Sequence, residues 1–122
     1  MNELSPKVQN QIAQFQQLQQ QLQTLLNQKY QMDVQVKEME RTIEELNKAA
    51  PDTVVYKSVG SLLIKAEGKD GLLKEVEESK ELMEVRVKAL DRQEKVLRDR
   101  YQQLQEQLSK AFGPTVAGNQ AF

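Results

Sequence analysis

A chain of 122 residues with 17 Lys and Arg against 18 Asp and Glu has a formal charge of -1, so electrostatics gives no reason to expect nucleic acid or an anionic membrane as partner. With no cysteine and no histidine, disulfides, thiolate nucleophiles, Cys/His zinc sites and the usual general base near neutral pH are excluded together, and no cofactor is expected. No apolar run approaches the roughly 20 residues that span a bilayer, and the opening MNELSPKVQN lacks both the basic and the apolar regions of a signal peptide, so a soluble, cytoplasmic chain is expected.

The first predicted element is a helix over 5–48. Proline occurs only at 6, 51 and 114, and no glycine lies between Pro6 and Pro51, so nothing local interrupts a helix there. Apolar residues follow a heptad. Val8, Phe15, Leu22, Val36 and Ile43 hold one seam position, and Leu18, Leu25, Met32, Met39 and Leu46 hold the other. Gln11 and Lys29 break the pattern. Residues 8–28, VQNQIAQFQQLQQQLQTLLNQ, contain ten glutamines and no charge, in a chain where 29% of residues are charged.

The insert APDTVVYKSVGSLLIKAEGKDG abandons that period and is β-branched and apolar, which predicts a β-hairpin within 53–66. Gly60-Ser61 suits a type II′ two-residue turn, since glycine accepts the positive φ required at the first turn position. That turn sets Val59 against Leu62, Lys57 against Ile64 and Val55 against Ala66. One face then carries Val55, Val59, Leu62, Ile64 and Ala66, and the other carries Val54, Tyr56 and Leu63, so both are too apolar for water. A lone two-stranded hairpin is marginal and its edges invite pairing, which makes Val54, Val55, Tyr56, Val59, Gly60, Leu62, Leu63 and Ile64 the candidate assembly surface. The alternative is that the hairpin folds down onto the base of its own helices.

A second helix is predicted over 71–111, with Asp70 as N-cap and Gly68 and Gly71 allowing a sharp reversal. Leu73, Val87, Tyr101 and Leu108 form one seam position, and Val76, Met83, Leu90, Leu97, Leu104 and Ala111 form the other. Lys80 and Glu94 interrupt them, which is compatible either with fixing register or with loosening the coil. Acids stand four residues before bases at Asp33 to Lys37, Glu44 to Lys48, Glu84 to Lys88, Asp91 to Lys95 and Glu94 to Arg98, as on solvated helix faces. The tail GPTVAGNQAF, 113–122, is expected to be mobile. The fold class is therefore mostly α: a long antiparallel two-helix coiled coil with a β-hairpin inserted between the helices, in a single domain. If the hinge lies between residues 48 and 70, facing positions have numbers summing to about 118, since both helices advance about 1.5 Å per residue. Phe15 then falls near Leu104 and Val8 near Lys110, so YQQLQEQLS joins the glutamine run in a nearly uncharged tip built from both chain ends.

The opening VQNQIAQFQQLQQQLQ, the hairpin VVYKSVGSLLIK and the second helix LMEVRVKALDRQEKVLRDRYQQLQEQL together closely resemble the β-subunit family of archaeal prefoldins, over essentially all of residues 4–112. The hairpin is the distinctive piece, because heptads alone converge easily. The resemblance implies a hetero-hexamer of two α and four β subunits, with hairpins pooled into a β-barrel platform and coiled coils projecting from it. It also implies an ATP-independent holdase that captures unfolded polypeptides at the coiled-coil tips and passes them to a group II chaperonin. The residues themselves are compatible with that mechanism. Ile12 and Leu26 widen the apolar stripe beyond the seam, and glutamine donates and accepts without imposing a charge on a client. Val8, Ile12, Phe15, Leu18, Leu22, Leu104, Leu108 and Ala111 are the candidate client-binding residues.

Other functions fit less well. An enzyme lacks a nucleophile with a base and a glycine-rich phosphate loop, and the acidic clusters EVEES and ERTIEE sit at helical surface spacing without convergence. A nucleic-acid clamp is disfavoured because Arg92, Lys95, Arg98 and Arg100 are interleaved with acids. A structural coiled-coil spacer or filament element explains the seams but leaves the glutamine-rich tip and the doubly apolar hairpin without a role.

Overall fold

The computed structural model describes residues 4–112, in the order α1 (Pro6–Lys48), β1 (Tyr56–Val59), β2 (Leu62–Lys65) and α2 (Lys69–Phe112). The fold is mostly α, two long helices with a two-stranded antiparallel hairpin between them. The tail expected over 113–122 lies outside the described residues.

Local chemistry sets the boundaries of α1. The Ser5 hydroxyl accepts a hydrogen bond from the Val8 amide (3.2 Å) and the Ser5 carbonyl accepts from the Gln9 amide (2.9 Å), so Ser5 is the N-cap and Pro6 takes the first helical position, where its missing N–H costs nothing. At the other end the Ala49 amide still donates to the Glu45 carbonyl (3.1 Å), but Pro51 biases Ala50 away from helix and the chain turns. The Lys69 ammonium donates to the Ala49 carbonyl (2.6 Å), placing a cation at the negative end of α1.

The start of α2 departs from expectation. The helix begins at Lys69, and the Leu72 amide donates to the Gly68 carbonyl (3.3 Å). Asp70 is therefore inside the first turn, where its charge suits the helix dipole, and Gly71 is helical and takes no part in the reversal.

The chain packs as two compact units, one made of residues up to Lys29 with those from Leu90 onward, the other of Tyr30–Ala89. In the first unit Phe15, Leu18 and Leu104 form a buried cluster, with Leu97, Tyr101 and Leu108 packed against it, and Leu25 is also buried. The Phe15 and Tyr101 rings stack at 4.5 Å and 26°. The Gln11 amide donates to the Gln107 side-chain carbonyl (3.0 Å), and those two numbers sum to 118, the register expected of an antiparallel pair closed at the hairpin.

The second unit has one buried residue, Leu46, while Met32, Val36, Met39 and Ile43 of α1 and Leu73, Val76, Met83 and Val87 of α2 are half-buried. Its hairpin has the predicted register, Val59 opposite Leu62 and Lys57 opposite Ile64, and the Ala66 amide donates to the Val55 carbonyl (2.9 Å), one step beyond the strands. Gly60 has φ 61° and, among the described residues, none other than glycine has positive φ, so Ser61 follows with negative φ as a type II′ turn requires.

Candidate functional site

Two apolar surfaces and one ionic layer are the chemical features that the elements position. The hairpin is the larger surface. Alternation along β1 and β2 sends side chains to both faces, and neither face is covered: Leu63 is 74% exposed, Leu62 63%, Tyr56 58%, Val54 56%, Val59 47% and Ile64 43%, with Val55 half-buried. Lys57 lies 3.6 Å from the Glu75 carboxylate, which ties the hairpin to α2 by a solvated ion pair only. At its base Leu46, Ala49, Val55, Tyr56 and Leu72 line an open hollow. The alternative in which the hairpin lies down on its own helices is thus not realised in this chain. Contiguous exposed apolar surface of this extent is uncommon on a protein that stays monomeric.

The second surface is the end of the first unit where α1 begins and α2 ends. The residues predicted there divide into three groups. Phe15, Leu18 and Leu104 are buried and hold the two helices together; Val8, Ile12, Leu22 and Leu108 are half-buried at the edge of that cluster; Ala111 is exposed. Leu4 and Phe112, 37% and 38% exposed, extend the apolar edge and escaped the heptad reading, Leu4 because it shares the seam position of Gln11 and Leu18 but precedes the helix, Phe112 because it lies one residue past the seam. Tyr30, Val34, Leu82, Val85 and Val96 are also exposed, at helix positions facing away from the seams, and the sequence signal for them was apolar side chains where the heptad calls for polar ones.

The ionic layer is where the charged seam interruptions find their partners. The Lys29 ammonium lies 2.6 Å from Asp91 and 2.8 Å from Glu94, and Glu94 accepts from the Arg98 guanidinium at 2.6 Å. Hydrogen bonds to Asp91 and then to Glu94 hold the Lys29 ammonium above the usual lysine range, and the bond from Lys29, then that from Arg98, holds the Glu94 carboxyl below its usual range. In the second unit Lys80 lies 3.9 Å from both Glu40 and Glu84. Of the five acid-to-base pairs read from spacing, Glu44 with Lys48 and Glu94 with Arg98 close within ion-pair distance among the described residues. No three His, Cys, Asp or Glu side chains among the described residues converge as a metal site, and no described helix is long and apolar enough to cross a membrane.

Helix, doubly exposed hairpin, helix is an arrangement that comparison with known proteins can place. A family model for prefoldin subunits matches residues 9–115. The chain belongs to the prefoldin family. The beta subunit of prefoldin from Archaeoglobus fulgidus is 46% identical over 114 residues, covering 93% of this chain and 97% of that one. Its counterpart from Methanosarcina acetivorans is 45% identical over 113 residues, covering 93% and 96%. The crystal structure of the prefoldin beta subunit from Thermococcus strain KS-1 superposes with a TM-score of 0.82 at 37% identity, covering 91% of this chain and 96% of that one. This chain is accordingly a prefoldin chaperone subunit of the beta type, in a family of chaperones and not of enzymes, and its assembly partners are prefoldin subunits.

Proposed function

We propose that the chain works as an ATP-independent holdase subunit in the cytoplasm, within a hexamer of two α-type and four β-type subunits, and that it hands unfolded polypeptides to a group II chaperonin. The hairpin residues Val54, Val55, Tyr56, Val59, Gly60, Leu62, Leu63 and Ile64 make the assembly contacts. The client is gripped at the end of the first unit. There Val8, Ile12, Leu22, Leu108 and Ala111 offer apolar surface directly, and Phe15, Leu18 and Leu104 become available when the two helices splay.

The observation that carries this reading is the pairing of an uncovered apolar hairpin with a nearly uncharged, apolar-edged helical end in a prefoldin subunit. The first would be a liability in a chain that stayed alone, and the second makes weak contacts indifferent to the sign of a client's charge. Weak grips multiplied over several subunits give useful retention with an accessible off-rate. The decisive assay is light scattering from a chemically denatured protein diluted into buffer with the chain and its α-type partner. Aggregation should be suppressed in the absence of ATP, and no suppression would remove the holdase reading in favour of a structural coiled coil. Deleting residues 1–14 together with 108–122 should spare the hexamer and abolish suppression; full activity of that truncation would place capture elsewhere.

A further inference from the structure

The apolar edge does not account for the glutamines. Along one flank of the first unit two hollows meet and share Gln17 and Gln21. Leu18 and Leu25 of α1 and Leu97 and Leu104 of α2 form their floor. Amides dominate the walls, Gln14, Gln17, Gln20, Gln21 and Gln28 from one helix, with Thr24 among them, and Gln93, Gln103 and Gln107 from the other, and Arg100 is the one charged residue among those lining them. The glutamine hydrogen bonds of this unit lie off that flank or at its edge: Gln9 donates to the Leu4 carbonyl (2.9 Å), Gln11 to Gln107 (3.0 Å), Gln19 to the Tyr101 hydroxyl (3.5 Å) and Gln23 to Asn27 (3.3 Å). Gln107 apart, which accepts from Gln11, the wall amides just named make no side-chain hydrogen bond among the described residues.

We propose that this flank binds one extended, uncharged stretch of unfolded main chain, with the wall amides bonding its peptide groups and alternate side chains meeting the leucine floor, which is largely buried in the closed pair and opens as the helices part. The proposal rests on the client-capture reading and names the part of the client that is read. A carboxamide carries the same donor and acceptor as a peptide unit, and an unfolded chain presents both at every residue except proline. From Gln14 to Gln28 the flank runs about 21 Å, the length of about six residues of extended chain, and in that conformation side chains alternate between floor and solvent. A neutral wall facing a neutral main chain strips no charge of its water. The same features exclude other occupants. A third helix keeps its peptide groups to itself and seeks apolar walls, and a nucleic acid needs more cations than Arg100 alone.

The test is fluorescence anisotropy of the full-length chain with a labelled eight-residue peptide of alternating serine and leucine, alongside the same peptide methylated on alternate backbone nitrogens. Gln17→Ala, Gln21→Ala and Gln103→Ala combined remove amides at positions where alanine favours helix, and circular dichroism confirms the fold. The triple variant should bind the unmethylated peptide about tenfold more weakly, the size of one to two net hydrogen bonds. Methylation should weaken wild-type binding by about the same factor and leave the triple variant nearly unaffected, since the two changes remove the same bonds. If neither change matters while Ile12→Ser with Leu22→Ser weakens binding, capture is apolar alone and this proposal is overturned with the client-capture reading intact. If the wild-type chain binds neither peptide and suppresses no aggregation with its partner, both fall together.

Discussion

The two units of the chain solve the problem of staying soluble in opposite ways. The first buries Phe15, Leu18, Leu25 and Leu104 beside uncharged amides and, among the described residues, confines its ion pairs to the one layer of Lys29, Asp91, Glu94 and Arg98; the second buries only Leu46, spreads ion pairs from Lys48, Lys57 and Lys80 along its length, and displays an apolar hairpin. A unit with its own core can leave its surface weakly attractive without coming apart. A unit without one, in the proposed reading, relies on charge on its helices and on other subunits at its hairpin. The difference teaches that glutamine and charge are alternative solubilisers, and under that reading the choice follows from whether a surface must stay neutral toward what it meets.

The comparison breaks most sharply at the hairpin. Val59→Lys with Ile64→Lys puts two ammonium groups on one face, since Val59 pairs with Leu62 and Lys57 with Ile64. Light scattering should show complete loss of the oligomer formed with the α-type partner, while circular dichroism keeps its helical signal. An oligomer of unchanged mass would remove the hairpin from assembly. Next in size is the contrast between cores. Leu18→Ala should cost about 2–3 kcal/mol in urea denaturation of the chain, because Leu18 is buried against its cluster. Met39→Ala, at a half-buried seam position of the second unit, should cost about 1 kcal/mol. Equal costs would mean that the two units do not differ in packing.

Much of this was legible because it was local or periodic. The hairpin register followed from Gly60-Ser61 and the strand alternation on either side of it, and the antiparallel register followed from counting outward from the hinge. What stayed hidden depends on contacts between residues far apart in the chain. Asp70 looked like an N-cap, yet α2 starts at Lys69, whose ammonium meets the carbonyl of Ala49 twenty residues earlier, a bond with no signature in the neighbouring sequence. Lys29 and Glu94 read equally as register-fixing or coil-loosening, because each is a lone polar residue in its own helix and only their meeting shows that they are partners. For the candidate site, the heptad marked Phe15, Leu18 and Leu104 without saying that they are the buried part of the tip. Burial depends on how closely the facing helix approaches, and spacing alone does not encode it.

The ionic layer gives a smaller test of the same contrast. Replacing only Lys29 with Met leaves Asp91 and Glu94 facing each other without their cation, and should cost about 1 kcal/mol, a modest figure because solvent reaches the layer. Lys29→Met with Glu94→Leu removes both charges from the seam and should recover that loss or exceed wild-type stability, since well-packed apolar groups often replace an ion pair without penalty. A double variant less stable than the single one in urea denaturation would show that the layer stabilises the first unit outright.

The smallest effect is on pH, and its sign follows from the two shifted groups. Glu94 has a lowered pKa in the folded chain, so its stabilisation is present above the ordinary carboxylate value of 4.5 and is lost as pH falls through the lower folded value. Lys29 has a raised pKa, so its contribution is complete below its ordinary value of 10.5 and is lost only as pH climbs past the higher folded one. Between about pH 5 and pH 10 the pair therefore contributes a constant amount. Below that window the wild-type Tm should fall faster than that of Glu94→Gln, by about 2 °C between pH 5 and pH 3, the shift that a contribution of about half a kcal/mol gives in a chain of this size. Above it, Lys29→Met should lack the alkaline decline that wild type shows. Parallel curves for wild type and Glu94→Gln through the acid range would mean that the carboxylate gains nothing from the cations around it. Residues 8–28 carry no titrating side chain, so that long stretch beside the layer adds nothing to the slope.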